Sequence, residues 1–201
     1  MITPLQSSSF DNMQLNAGMF LANFDYTEYA TVAAVKTAIK TLMEEKSTDI
    51  LGATRGGGTF TVTKESREIE ADGKRNSFVG STIIDSVDAS ITGTLLELHA
   101  ENWQRGMAAA DVTDSEDGKK HTIQMRNDLK DSDYLEHLCW VGDMNKGGLV
   151  LIAFDNALNT GDVNFTFTDK GEGTLPFEFH AYQKDVSNDE YAPFAVVLLD
   201  A

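Results

Sequence analysis

Residues 83–98 read IIDSVDASITGTLLEL, and this stretch decides the fold class. Four apolar residues fall on one face of it, namely Val87, Ala89, Ile91 and Leu95. Four polar residues fall on the other face, namely Asp88, Ser90, Thr92 and Thr94. A period of two residues is typical of a β-strand with one buried and one wet face. The phase changes after Gly93, which predicts a bulge or bend there.

The chain around this strand is also mostly β. Asp72-Gly73 is a two-residue hairpin signal that predicts pairing of residues 67–70 with residues 74–78. Gly56-Gly57-Gly58 is interpreted as a flexible turn before an alternating run at residues 59–63. Further strands are predicted at residues 122–126, 135–141, 149–154 and 194–199, and a hairpin at residues 163–167 and 175–182.

Two helices accompany the strands. Residues 28–46 carry apolar side chains at helical spacing on one stripe, with Thr27 as the expected N-cap, so this helix is expected to cover a sheet. Residues 101–110 predict a short second helix. The fold class is therefore mostly β, a β-sandwich or partial barrel with one packed α-helix and a short second helix. Residues 1–18 predict an N-terminal arm, and residues 19–201 a single domain.

The net charge of −16 argues against a protein that binds nucleic acids or anionic membranes. It comes from 32 acidic and 16 basic residues, and such a chain repels nucleic-acid phosphates and anionic membranes. Solubility alone would explain the same charge. The longest apolar run, residues 149–154, is much shorter than the ~20 residues of a membrane helix. One cysteine, Cys139, excludes an intramolecular disulfide.

The usual signatures of catalysis and of metal binding are absent from the sequence. It has no phosphate-binding loop, no zinc-protease motif and no Gly-x-Ser-x-Gly. His137 and Cys139 lie side by side on a predicted strand without further ligands, and the acidic loop 114–118 does not fit an EF-hand. We therefore expect no enzyme activity, no cofactor and no metal. A hydrolase with paired carboxylates stays an alternative, because acidic residues are plentiful.

Five stretches together resemble the tail tube proteins of long-tailed, siphovirus-like phages. They are LGATRGGGTF at 51–60, REIEADGKR at 67–75, ITGTLLE at 91–97, LCWVGD at 138–143 and TDKGEGTLPFEF at 168–179. The resemblance extends from about Leu15 to the end of the chain.

This resemblance implies a specific architecture and role. Six copies would form a ring, each lending strands to a continuous inner β-barrel, and stacked rings would form a hollow tube that conducts the DNA genome during ejection. The partners would be other copies of the chain, a tail terminator and tail-tip or baseplate proteins, with no membrane and no specific binding of DNA. The location would be the virion tail, assembled in the host cytoplasm.

Two groups of residues are the candidate sites under this hypothesis. The expected lumen-facing residues are Asp88, Ser90, Thr92, Thr94, Asn164, Thr166, Glu178 and His180. The expected inter-subunit or inter-ring hairpin comprises Lys64, Arg67, Glu68, Glu70, Asp72, Gly73, Lys74 and Arg75. Two alternatives stay open: the tube protein of a contractile injection or secretion system, and a monomeric β-sandwich that binds a small ligand.

Overall fold

A computed structural model describes residues 10–11, 13–167, 169–185 and 190–201. Within these residues the strands are β1 (Gln14–Leu21), β2 (Thr54–Glu68), β3 (Thr82–Leu95), β4 (Ala110–Asp114), β5 (His121–Met125), β6 (Leu135–Met144), β7 (Leu149–Asn159), β8 (Leu175–Tyr182) and β9 (Phe194–Leu199). The α-helices are α1 (Val32–Glu44) and α2 (Ala100–Met107). The prediction of a mostly β chain with one longer and one short helix is confirmed.

Seven strands form one antiparallel sheet. Its order is β1-β6-β7-β8-β3-β2, and β9 pairs with β7 along residues 149–154, beside the part of β7 that pairs with β8. The strands β4 and β5 form a separate two-stranded sheet. Among the described residues no ladder joins β1 to β2, so the end strands of the large sheet do not close a barrel within one chain.

The large sheet curls over one apolar core. Phe20 of β1 meets Phe177 of β8 edge-on, with ring centroids 5.1 Å apart. Phe60 of β2 packs near Phe154 of β7 and Phe194 of β9, at 6.2 Å and 5.6 Å between centroids. Strands from distant positions in the sheet therefore share one interior. Both tryptophans, Trp103 and Trp140, also pack against this core.

The helix α1 covers a second apolar cluster on β1, β6 and β7, which includes the buried Val35 and Cys139. The predicted start of the helix was wrong by several residues. Thr31 is the N-cap, because its hydroxyl accepts the Ala34 N–H at 3.3 Å. Residues 26–28 form a separate 3₁₀ turn, capped by Asp25. Neither described helix has the length and apolar character needed to span a bilayer.

Three predictions of local structure were wrong. Residues 163–167 do not form a strand, apart from an isolated bridge between Thr166 and Thr174, because β8 pairs with β3 and β7 instead. Gly56–Gly58 lie inside β2 and do not form a turn. The register of β2 against β3 shifts between Thr54 and Gly58, so the bulge predicted at Gly93 lies instead on the opposite strand. The connection between β2 and β3 is residues 69–81, so residues 74–78 are not a strand.

Part of the predicted N-terminal arm belongs to the sheet. β1 begins at Gln14 and pairs with β6, so the expected boundary at residue 18 falls inside a strand. Trp140 Nε1 donates a hydrogen bond to the carbonyl of Ala17 at 3.0 Å. Its ring lies so close to Gly18 that a Cβ there would be 2.5 Å from it. Residues 1–9 and 12 lie outside the described residues, and the arm stays a prediction for them.

Candidate functional site: a polar sheet face and a projecting hairpin

Strand register gathers polar side chains on one face of β2, β3 and β8. Directly opposed residues share a face, and Thr92 lies opposite both Thr59 of β2 and Glu178 of β8. The other side of the same strands is the apolar core, with Ile91 and Phe179 buried. We define the polar face by its residues: Thr59, Thr61, Thr63, Asp88, Ser90, Thr92, Thr94, Glu178 and His180.

Six of the eight expected lumen residues lie on this polar face. Asn164 is not in the ladder, but it lines the same surface groove as Thr92 and Glu178. Thr166 lies in the bridge to Thr174, away from the ladder. Whether this face lines a lumen stays a prediction. Sequence reasoning missed the threonines of β2, because their alternation was visible but their pairing register was not.

Acids, hydroxyls and one imidazole make up the polar face, which contains no Lys or Arg. His180 Nδ1 lies 2.9 Å from Asp88 Oδ1, and its Nε2 lies 3.5 Å from Glu178 Oε1. Ser90 is buried at 8% exposure, whereas Asp88 is exposed. The face therefore offers hydrogen bonds and negative charge. Arg55 lines the same groove as Thr92 and Glu178, but its guanidinium is paired with Glu172 Oε2 at 3.0 Å. Among the described residues, no cluster of three or more His, Cys, Asp or Glu is able to hold a metal ion.

The outer half of the β2–β3 hairpin projects from the body. The partner strand β8 flanks β3 only from Ser90 onward, and all residues of 61–70 and 82–88 are exposed. At about 3.3 Å per residue, residues 62–68 extend roughly 23 Å beyond the sheet. An isolated two-stranded hairpin is only marginally stable in water. Within a single chain, the outer half of this hairpin therefore lacks the cover that stabilises a pair of strands.

Apolar side chains continue from the core along this hairpin without cover. Val62 is opposite Ala89, Val87 is opposite Lys64, and Ile84 is opposite Ser66, so all three extend the core-facing side of the strands. Their exposures are 37%, 37% and 56% respectively. A contiguous exposed apolar surface in a monomer typically marks an interface.

The hairpin tip, residues 69–81, is organised around the Glu68 carboxylate. Glu68 Oε1 accepts hydrogen bonds from Lys74 Nζ at 2.6 Å and Ser81 Oγ at 2.8 Å, and Oε2 accepts one from Ser77 Oγ at 3.1 Å. These bonds, the one from Lys74 foremost, lower the pKa of Glu68 to about 2. Lys74 Nζ also donates to the Ile69 carbonyl at 2.8 Å. These charge-assisted bonds tie Lys74, Ser77 and Ser81 to Glu68 at the end of β2.

A tight turn at the end of this tip displays two apolar residues. The Ser81 N–H donates to the Phe78 carbonyl at 3.0 Å, and Gly80 has φ of 87°, which suits the third residue of a type II turn. Phe78 is 63% exposed and Val79 is 108% exposed, the highest value among the exposed large apolar residues. Sequence reasoning missed this turn because it assigned residues 74–78 to a strand.

The expected hairpin residues all lie on the projecting part. Besides the Glu68–Lys74 pair, Arg67 Nε lies 2.9 Å from Asp85 Oδ1. Within the described part of the chain, Glu70 and Asp72 have no ion-pair partner. The contact of these residues with a neighbouring subunit stays a prediction.

Three strands of the large sheet have edges without a paired strand. In the described residues β1 forms a ladder only with β6, β2 only with β3, and β9 only with β7. Free edges are templates for pairing with another chain unless they are covered.

No protein-family model matches this sequence, and no curated protein is significantly similar to it.

Proposed function

We propose that this chain is a structural subunit that associates with copies of itself into rings, and that the rings stack into a hollow tube that conducts DNA. The resemblance to phage tail tube proteins motivates this proposal. The observation that carries it is the projecting β2–β3 hairpin, whose apolar side chains have no cover in a single chain.

The charge on the hairpin supports association with another copy. Lys64, Arg67, Lys74 and Arg75 are four of the 16 basic residues of the chain. In a chain of net charge −16, this mixed-charge segment approaches another copy without the repulsion that two acidic surfaces experience. The free edges of β2 and β9 add backbone groups that a neighbouring strand satisfies. Closing a ring removes such edges from solvent.

The polar face is suited to the wall of a DNA channel. Its hydroxyl groups and carboxylates offer phosphates no cation, and the adjacent Arg55 is already paired with Glu172. Its negative charge repels phosphates over a screening length of about 8 Å. The net charge then serves the passage of DNA as well as solubility.

Electron microscopy of the purified protein tests the proposal directly. We expect rings or tubes, and a scattering mass that grows with concentration from the 22.0 kDa of one chain. Reversing Arg67 and Arg75 to Glu should block assembly while the circular dichroism spectrum stays unchanged. A monomer at every concentration, with no rings or tubes, would refute the proposal.

A second experiment tests the position of the polar face. Thr61→Lys with Thr92→Lys should allow tubes to form but make them retain a labelled oligonucleotide that wild-type tubes release. Thr37→Lys is the matched control, because Thr37 is exposed on α1, outside the polar face. If Thr37→Lys tubes retain as much oligonucleotide as the double variant, the polar face does not line the channel.

A further inference from the structure

A groove of ≈ 330 Å³ lies beside α1, where the helix meets β1, β6 and β7. Its apolar lining comprises Met19, Ile39, Met43, Val141 and Leu149. Val141 and Leu149 are buried at its floor, whereas Met43, at the helix end, is 57% exposed. The groove is thus an apolar surface open to solvent.

Two lysines stand on the rim of this groove. Lys36 lies 3.7 Å from Asp143, and Lys40 lies 3.7 Å from Glu44, with both pairs well exposed. Exposed ion pairs at this distance contribute little, so both ammonium groups are free to take a better partner. Asp143 lines the same groove, so its rim carries two lysines and one carboxylate.

We propose that this groove receives the hairpin tip of a second copy of the chain. Phe78 and Val79 lie on the apolar lining, and the carboxylates of Glu70 and Asp72 meet Lys36 and Lys40. This inference rests on the self-association in the proposed function and assigns the surface that accepts the hairpin.

The occupant is identified by complementarity. The tip combines two exposed apolar side chains with Glu70 and Asp72, which lack ion-pair partners in the described residues. The groove combines an apolar lining with two lysines, one of which is weakly paired with Asp143 in the same groove. Because the Glu68 network already fixes the tip, docking loses little conformational entropy. Phe78 and Val79 are exposed in the single chain, so the tip does not occupy its own groove, and a contact between these two surfaces joins two chains.

Such a contact is heterologous, since the tip and the groove are different surfaces. Each copy gives one tip and accepts one tip, and head-to-tail contacts of this kind generate rings or open filaments. Growth beyond a dimer therefore follows from this single pair of surfaces.

Disulfide cross-linking tests the contact. Val79→Cys combined with Met43→Cys should give a ladder of covalent multimers after mild oxidation. Each single variant has one new exposed thiol and so yields a dimer at most, and the native Cys139 is fully buried. Val79→Cys with Met125→Cys is the matched control, because Met125 is 68% exposed on β5 and does not line the groove. Its ladder should be much weaker and form much more slowly than that of Val79→Cys with Met43→Cys.

A charge swap gives a second, independent measurement. Lys36→Glu with Lys40→Glu should raise the critical concentration for assembly about tenfold or more. Adding Glu70→Lys and Asp72→Lys to the same chain should restore it. Tubes that form without a ladder and without this rescue would overturn the groove assignment but leave the proposed function standing. Absence of any polymer would overturn both.

Discussion

Truncating the two apolar residues of the hairpin tip, Phe78→Ala with Val79→Ala, should weaken assembly without weakening the fold. Burying a side chain of this type completely contributes about 1.5–3 kcal/mol. Phe78 still exposes 63% of its surface and Val79 all of it, at 108%. We scale this burial free energy by the exposed fractions and subtract the part that the alanine methyl groups retain. The expected loss of association free energy is then about 3 kcal/mol per contact. That corresponds to roughly a hundredfold weaker association.

The critical concentration for assembly is the quantity to measure. Sedimentation of polymer over a concentration series gives it directly, and we expect it to rise about a hundredfold in the double variant. The melting temperature should stay within about 2 °C, because both side chains are exposed in the single chain. Met125→Ala, which removes an exposed side chain elsewhere, should change neither quantity. A critical concentration within about threefold of wild type would refute the role of the tip.

Three further predictions concern the tip and the core. Because the folded-state pKa of Glu68 is lowered to about 2, its stabilising bonds are fully present above the ordinary 4.5 and lost as pH falls toward 2. Three amides of residues 74–81 are hydrogen-bonded, those of Lys74, Phe78 and Ser81. Their protection, measured relative to the intrinsic exchange rate at each pH, should be kept above about pH 5 and lost near pH 2. Burial raises the pKa of Cys139 to about 12, so its thiol should react with Ellman's reagent only after unfolding. Gly93→Ala should cost about 1–3 kcal/mol in urea unfolding, because its Cβ would lie 2.5 Å from the Phe177 ring.

Each of these predictions has a contrary outcome. Fast exchange of the tip amides at neutral pH would mean that Glu68 does not order the tip. Rapid labelling of native Cys139 would contradict the packing of β6 under α1. Wild-type stability in Gly93→Ala would contradict the close approach of β3 to β8.

Period-two alternation predicted several strands well, since it reports which face of a strand is buried. The last strand was predicted at residues 194–199 and is Phe194–Leu199. Alternation does not report which segment a strand pairs with. Residues 163–167 alternate as clearly as β8 does, but β8 pairs with β3 and leaves them outside the sheet.

The candidate site was predicted only in part, for the same physical reason. Thr92 lies on the predicted polar face and is half-buried, whereas Ser90 on the same face is buried and not wet as predicted. Thr59 joins that face only through its register with Thr92. At the hairpin tip, Asp72-Gly73 does form a turn, in which the Lys74 N–H donates to the Ala71 carbonyl. The Lys74 side chain donates to Glu68, and residues 74–78 do not continue into the paired strand that this local signal predicts.

The pairing of β1 with β6 has a consequence for the timing of synthesis. Ala17 and Trp140, which share a hydrogen bond, are 123 residues apart in sequence. At about 5–20 residues per second, a ribosome needs roughly 6–25 s to make the second after the first. The β2–β3 hairpin is complete in the nascent chain well before then. The groove beside α1 needs both Met19 and Val141, so an unfinished chain is able to display a tip but not to accept one. Polymerisation through this contact therefore requires subunits whose translation has passed β6.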